Sequence, residues 1–183
     1  MEFNTTPIDG LIVIKPTVYK DSRGYFFESY NEKLFKDNGI TDDFVQDNQS
    51  CSSKGVVLGL HFQIPPFAQA KLVRVISGAA LDVAVDIRVG SPTYGKYFSV
   101  LLTGENQLQF YLPAGFAHGF AALEDNTVFA YKCADFYNKE SERSILFNDP
   151  DIGVDWQTDT PLISEKDKLG VPFREFKSPF YYK

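Results

Sequence analysis

Leu81-Asp82-Val83-Ala84-Val85-Asp86-Ile87-Arg88 alternates apolar and polar side chains with a period of two. In an extended chain Leu81, Val83, Val85 and Ile87 share one face, while Asp82, Asp86 and Arg88 share the other. That pattern specifies a β-strand. The flanking sequence carries the same period: Lys71 to Ile76, Tyr97 to Thr103, Gln109 to Leu112 and Thr127 to Cys133 also read as strands. Turn residues divide them at Ser77-Gly78, Gly90-Ser91-Pro92, Thr103-Gly104-Glu105-Asn106, Pro113-Ala114-Gly115 and Glu124-Asp125-Asn126. Short strands at regular spacing, with no long helical stretch between them, predict an antiparallel sandwich or barrel. The block from about 44 to 147 has the rhythm of a jelly roll.

Two short helices are expected outside that block. Asn31 can cap Glu32 to Asn38, with Leu34 and Phe35 packing inward and Gly39 as the stop. Ser164 can cap a turn through Glu165, Lys166 and Asp167. No internal repeat or linker interrupts the 183 residues, which are expected to form one domain, 1–183. The net charge of -6 argues against nucleic acid and anionic membranes as partners, because no basic field is present to neutralise phosphates. No apolar run approaches the roughly 20 residues of a membrane span, and the first residues lack the pattern of a signal peptide. Cys51 and Cys133 form no CxxC motif, so a cytoplasmic protein with two free thiols is expected. With two histidines and no His-x-His pair, a metal site is poorly supplied and would need carboxylates to complete it.

Those two histidines sit in short segments that look built to expose an imidazole. They are Gly55-Val56-Val57-Leu58-Gly59-Leu60-His61-Phe62-Gln63 and Pro113-Ala114-Gly115-Phe116-Ala117-His118-Gly119-Phe120. Histidine titrates near neutral pH, so each is either a packed, hydrogen-bonded core residue or a proton-transfer group. In Asp21-Ser22-Arg23-Gly24-Tyr25-Phe26-Phe27-Glu28, a strand would put Phe26, Glu28 and Tyr30 on one face, suited to stacking on a nucleobase. Arg23, in the turn before it, suits a phosphate; the alternative is a solvated strand. Gln46-Asp47-Asn48-Gln49-Ser50 is dense in amides, and as a strand would project Gln46 and Asn48 together toward a sugar or pyrophosphate. Lys71 begins an apolar strand; it is either exposed or a fixed charge facing an interior, where it would stabilise an oxyanion. Tyr131 and Tyr137 share a face if their strand is continuous, and pack as ordinary buried tyrosines if they have no other role. Ser164-x-x-Asp167 has the form of a capping box, in which the Asp167 carboxylate satisfies a backbone amide.

Taken in order, these segments resemble the dTDP-4-dehydrorhamnose 3,5-epimerase family from about Asp21 through Asp167. Further signposts are Lys71-Leu72-Val73-Arg74-Val75, Ser91-Pro92-Thr93-Tyr94-Gly95, Tyr131-Lys132-Cys133, Asn148-Asp149-Pro150 and Ser164-Glu165-Lys166-Asp167. The resemblance implies a cupin-type jelly roll, a homodimer, no metal or other cofactor, and a thymidine diphosphate 4-keto-6-deoxyhexose as substrate. It implies His61 as general base oriented by Asp167, Tyr131 as proton donor, and Lys71 as the group stabilising the C4 oxyanion, with His118 nearby. Arg23, Phe26, Glu28, Gln46, Asp47, Asn48, His118, Glu142 and Lys166 would bind nucleotide, phosphate or sugar, and Tyr137 would stack on thymine. The Arg23–Glu28 segment would reach into the partner's site.

One position departs from the family pattern. Where the family reads Gly-Val-Leu-Arg-Gly-Leu-His, this chain has Leu58 in place of the arginine. That arginine contacts the ligand, so Arg74, Lys71 or another cation compensates, or the substrate differs. The resemblance therefore leaves open an enzyme inverting only C3 or only C5, a ketoisomerase, or a cupin that binds a nucleotide sugar without converting it.

Overall fold

Fourteen short strands build the molecule, and the computed structural model describes all residues, 1–183. In chain order they are β1 (Glu2–Thr5), β2 (Ile12–Lys15), β3 (Tyr19–Asp21), β4 (Gly24–Phe26), β5 (Gln46–Ser52), β6 (Val56–Gln63) and β7 (Lys71–Ser77). Then follow β8 (Ala79–Asp86), β9 (Tyr97–Thr103), β10 (Gln109–Leu112), β11 (Phe116–Ala122), β12 (Thr127–Cys133), β13 (Glu142–Ser144) and β14 (Leu162–Ile163). One helix, α1 (Glu32–Asp37), is capped as expected by the Asn31 side chain, which accepts the Leu34 N–H.

Two sheets face each other. The first has the order β1-β2-β10-β7-β12-β5 and the second β13-β6-β11-β8-β9, with β14 added beside β6. All pairings are antiparallel except that of β14 with β6. This is the jelly roll anticipated from the period-two pattern, of the cupin type that the family resemblance implies. It extends past 44–147, because β1 and β2 widen the first sheet and β14 edges the second.

Period-two alternation on two packed sheets creates three apolar layers. Between the sheets lie Val73, Val75, Ala80, Ala84, Leu102, Phe110, Phe116, Phe120 and Phe129. Phe120 of the second sheet stacks on Phe129 of the first, with centroids 4.2 Å apart. Outside the first sheet, Phe35 and Ile40 of the α1 region cover Leu72 and Tyr111. Outside the second, Trp156 and the C-terminal Phe173, Phe176 and Phe180 cover Leu81, Val83, Val85 and Ile87.

That last layer changes the meaning of the segment around Asp82. Both faces of β8 are buried, and the apolar face points outward under the C-terminal residues. The face bearing Ala80, Asp82 and Ala84 is the one between the sheets. Asp82 is thus wholly buried, and so is Asp86, which Arg88, Ser91 and Thr93 hold with five hydrogen bonds from their side chains and one backbone amide.

The strand expected to carry Phe26, Glu28 and Tyr30 on one face is shorter than that. β3 and β4 form a separate hairpin turning at Ser22-Arg23, and the strand ends at Phe26, so Glu28 lies beyond it. Gly24 sits at φ +136°, a conformation that L side chains rarely adopt, and Asp21 receives the Arg23 backbone N–H across the turn. The hairpin leaves Tyr19, Tyr25 and Phe26 exposed.

Candidate active site

A cavity of about 150 Å³ opens between the sheets. From the first sheet it is lined by Gln46, Asn48 and Ser50 of β5, Lys71 of β7 and Tyr131 and Cys133 of β12. From the second it is lined by Leu58, His61 and Gln63 of β6, His118 and Phe120 of β11 and Glu142 of β13. A larger groove, about 360 Å³, crosses the outer face of the first sheet past Asp47, Arg74 and Lys132. It includes neither histidine and not Lys71, so the titratable cluster belongs to the smaller space.

The two histidines are directly opposed in the pairing of β11 with β6. Glycines allow the two strands to come close there: a Cβ on Gly59 would lie 2.6 Å from the Gly119 Cα, and one on Gly119 would lie 2.5 Å from the Leu58 carbonyl. Each imidazole is pinned by a carboxylate. Nε2 of His61 is hydrogen-bonded to Asp167, and Nε2 of His118 lies 2.9 and 3.1 Å from the two oxygens of Asp82. An ionised carboxylate only accepts, so the bonded nitrogen carries the proton and Nδ1 presents a lone pair. Neither Nδ1 is hydrogen-bonded within the chain, and both histidines line the cavity. His118 itself is buried, contrary to the expectation that its segment exposes it.

Asp167 reaches His61 from 106 residues away. It opens a short 3₁₀ turn at Asp167–Leu169, and Ser164 Oγ accepts its backbone N–H, as a capping residue does. The carboxylate does not cap a backbone amide: it accepts the Ser164 hydroxyl at 2.8 Å and the His61 ring N–H. Burial pushes the Asp167 carboxyl upward, but the hydrogen bonds from His61 and Ser164 outweigh it and hold it below the usual carboxylate range.

Lys71 faces inward, its ammonium 5.8 Å from the centroid of the Tyr131 ring and without a carboxylate in ion-pair contact. Burial pulls its pKa below that of an ordinary lysine, against the opposing pull of Cys133, Asp82 and Glu142. Tyr131 stands on the opposite sheet from His61, and burial pushes its hydroxyl upward, keeping it protonated. At the mouth, Glu142 accepts the Tyr137 hydroxyl at 2.9 Å and the Lys166 ammonium at 2.6 Å. Those bonds outweigh the burial that would raise its carboxyl, and keep it ionised.

Several sequence expectations need correction. β12 ends at Cys133, so Tyr137 does not continue Tyr131's strand; it reaches the cavity from the following loop, its backbone N–H donating to Gln46. Gln46 and Asn48 do project together into the cavity, but Asp47 points to the opposite face and pairs with Lys132 at 2.9 Å. Arg74 also lies on the outer face of its strand, so it does not replace a cation at Leu58, which lines the cavity as an exposed apolar side chain. Arg23, Phe26 and Glu28 do not line the cavity of their own chain, and Arg23 is paired with Asp21. Asp82 was not singled out as a site residue, although the alternation placed it opposite the apolar face. No group of three or more His, Cys, Asp or Glu side chains is arranged to hold a metal ion.

The family model described as dTDP-4-dehydrorhamnose 3,5-epimerase matches residues 5–175. A dTDP-4-dehydrorhamnose 3,5-epimerase of Methanothermobacter thermautotrophicus is 50% identical over 182 residues, covering 98% of this chain and 97% of the relative. The crystal structure of the enzyme of that name from Elizabethkingia anophelis superposes with a TM-score of 0.91 at 49% identity, covering 96% of this chain and 97% of the other. A Legionella pneumophila 3,5-epimerase, crystallised with dTDP-4-keto-L-rhamnose, superposes with a TM-score of 0.95 at 46% identity, covering 100% and 98%. This chain belongs to the dTDP-4-dehydrorhamnose 3,5-epimerase family.

Proposed function

We propose that the cavity inverts C3 and C5 of a thymidine diphosphate 4-keto-6-deoxyhexose, taking dTDP-4-dehydro-6-deoxy-D-glucose to dTDP-4-dehydro-L-rhamnose. The observation that carries this is the placement of a carboxylate-held imidazole and a protonated phenol on opposite walls, with an ammonium between the sheets and free of any carboxylate. The C4 ketone acidifies the protons on C3 and C5. His61 Nδ1 removes one of them, and Asp167 stabilises the imidazolium that forms. The electron pair moves onto the C4 oxygen, where Lys71 meets the developing negative charge in a site with little water. Tyr131 returns a proton from the other wall and inverts the centre. One proton leaves and one returns, so the reaction needs no redox partner. Borohydride reduction of the product, followed by sugar analysis, tests this: rhamno- and talo-configured 6-deoxysugars support it, and only gluco- and galacto-configured ones overturn it.

The cavity is smaller than the roughly 300–1,000 Å³ of pockets that enclose a drug-sized ligand. In this reading it takes the sugar, and the nucleotide lies along the mouth, with Tyr137 stacked on thymine and Gln46, Asn48, His118, Glu142 and Lys166 holding sugar and phosphate. Lys166 is already neutralised by Glu142, and Leu58 brings no charge. Leu58→Arg is therefore expected to tighten binding of dTDP by roughly ten- to a hundredfold, the worth of one charge-assisted contact. Titration calorimetry reads this directly, and weaker binding would show a mouth shaped for another ligand.

The protein acts in this reading as a homodimer, each 1–183 chain one domain, with the exposed β3–β4 hairpin and Glu28 completing the partner's mouth. Arg23, freed from Asp21, then supplies the phosphate cation. Mixed dimers of Arg23→Ala and His61→Ala chains are expected to regain activity that neither homodimer has, since one site per dimer keeps both residues. Refolded mixtures no more active than their components would sink the shared site. With Cys51 and Cys133 unpaired, the reducing cytoplasm is the compartment this reading assigns.

A further inference from the structure

Just past the end of β12, the Ala134 N–H still donates to the Ala70 carbonyl at 3.0 Å. No backbone group then pairs with the carbonyls of Asp135 and Phe136 or with the N–H groups of Tyr137 and Asn138. Glutamine side chains take that place. The Asp135 carbonyl accepts Gln69 Nε2 at 2.6 Å, and the Phe136 carbonyl accepts Gln63 Nε2 at 3.2 Å. The Tyr137 N–H donates to Gln46 Oε1 at 3.0 Å, and the Asn138 N–H to Gln63 Oε1 at 2.7 Å. A primary amide offers donors and an acceptor together, so one side chain serves a carbonyl and an N–H as a neighbouring strand would.

Gln63 holds this loop on both sides of Tyr137. It is buried, and its Nε2 also donates to the Phe67 carbonyl at 2.6 Å, so both donors and its acceptor are engaged within the chain. It stands two residues along β6 from His61, on the same face of the strand, and directly opposite Glu142 of β13. Glu142 accepts the Tyr137 hydroxyl at 2.9 Å. The cross-strand pair thus grips one tyrosine twice, Gln63 by the backbone on either side and Glu142 by the hydroxyl. Tyr137 itself stays 55% exposed at the mouth. We propose that Gln63 is a positioning residue that fixes the Tyr137 ring at the cavity mouth and so sets the affinity for the nucleobase without touching it. This rests on the stacking role given to Tyr137 above. A ring ordered before the ligand arrives loses less freedom on binding. Because the loop's anchor and the His61 imidazole lie on one strand, the mouth and the reacting centre keep a fixed spacing.

Gln63→Met keeps the length and removes all three hydrogen bonds. In protein carrying 3-fluorotyrosine, with the Tyr137 signal assigned by its absence in Tyr137→Phe protein, ¹⁹F NMR reads the order of that ring without ligand. The Tyr137 signal is expected to sharpen and move toward that of free fluorotyrosine in Gln63→Met protein, with the other tyrosine signals unchanged. KM and the Kd for dTDP should rise about three- to tenfold with kcat nearly constant, a split that loss of structure would not produce. In a Tyr137→Ala background the same replacement should leave Kd where it is. An unchanged Tyr137 signal overturns the proposal, whether or not the protein binds dTDP. So does a Kd that is unchanged in Gln63→Met protein, or one that weakens equally with and without the Tyr137 ring. Parent protein that does not bind dTDP refutes the ligand assigned above, and the ¹⁹F comparison then decides alone. If Gln63→Met protein does not fold, Gln63→Glu, which keeps the acceptor for Asn138, is read in the same way. Failure of both to fold overturns the proposal.

Discussion

His61→Ala is expected to abolish exchange of the protons at C3 and C5 while leaving dTDP binding largely intact. Loss of a positioned general base lowers turnover by about 10²–10⁴-fold, and no neighbour is placed to take over. His118 is the other imidazole in the cavity, but burial disfavours the protonated form that a base must adopt. Binding survives because the nucleotide lies along the mouth, away from the imidazole. Alanine also leaves Asp167 with Ser164 as a hydrogen-bond partner, so the 3₁₀ turn at Asp167–Leu169 keeps its anchor. Rapid-quench kinetics and calorimetry on one preparation separate the two effects. Turnover close to that of the unaltered protein would remove His61 from the role of base.

Lys71→Met is expected to lower kcat by about 10²–10³-fold, the usual loss when a group stabilising an oxyanion is removed, with a much smaller change in KM. The ammonium meets charge that exists only once a proton has left the sugar, so the ground state gains little from it. Methionine has a similar reach and no charge, and it fills the space between β7 and β12 without a desolvation penalty. A folded, nearly inactive protein is the expected outcome, checked by circular dichroism beside steady-state rates. Unimpaired kcat would mean that the oxyanion is met elsewhere.

Strand positions follow directly from the sequence because period two is a local property. β9, β10 and β12 begin and end where alternation and turn residues put them. What alternation does not tell is which face is the interior. A charged face is ordinarily wet, and only the C-terminal layer of Trp156, Phe173, Phe176 and Phe180 turns the apolar face of β8 outward and Asp82 inward. That layer lies some seventy residues and more from β8 in the chain, so the second carboxylate–histidine pair is invisible to local pattern.

The hairpin at Arg23 is a different case. Asp21-Ser22-Arg23-Gly24 carries ordinary turn chemistry and places Arg23 in the expected turn, but nothing local shows that the strand after it stops at Phe26. The resemblance puts Asp47 among the ligand contacts with Gln46 and Asn48, although alternation itself separates it from them. The site residues drawn from distant segments, Asp167, Glu142 and Lys166, were accessible through family resemblance, since no spacing in the chain brings them to His61.

The reaction proposed for this cavity moves protons at two carbons of one sugar. Proton NMR of the purified protein with dTDP-4-keto-6-deoxyglucose in deuterated buffer tests it most directly. Deuterium entering both C3 and C5, at rates that vanish in His61→Ala protein, is the predicted result. Deuterium at neither carbon would contradict it, and deuterium at one alone would limit the enzyme to a single inversion.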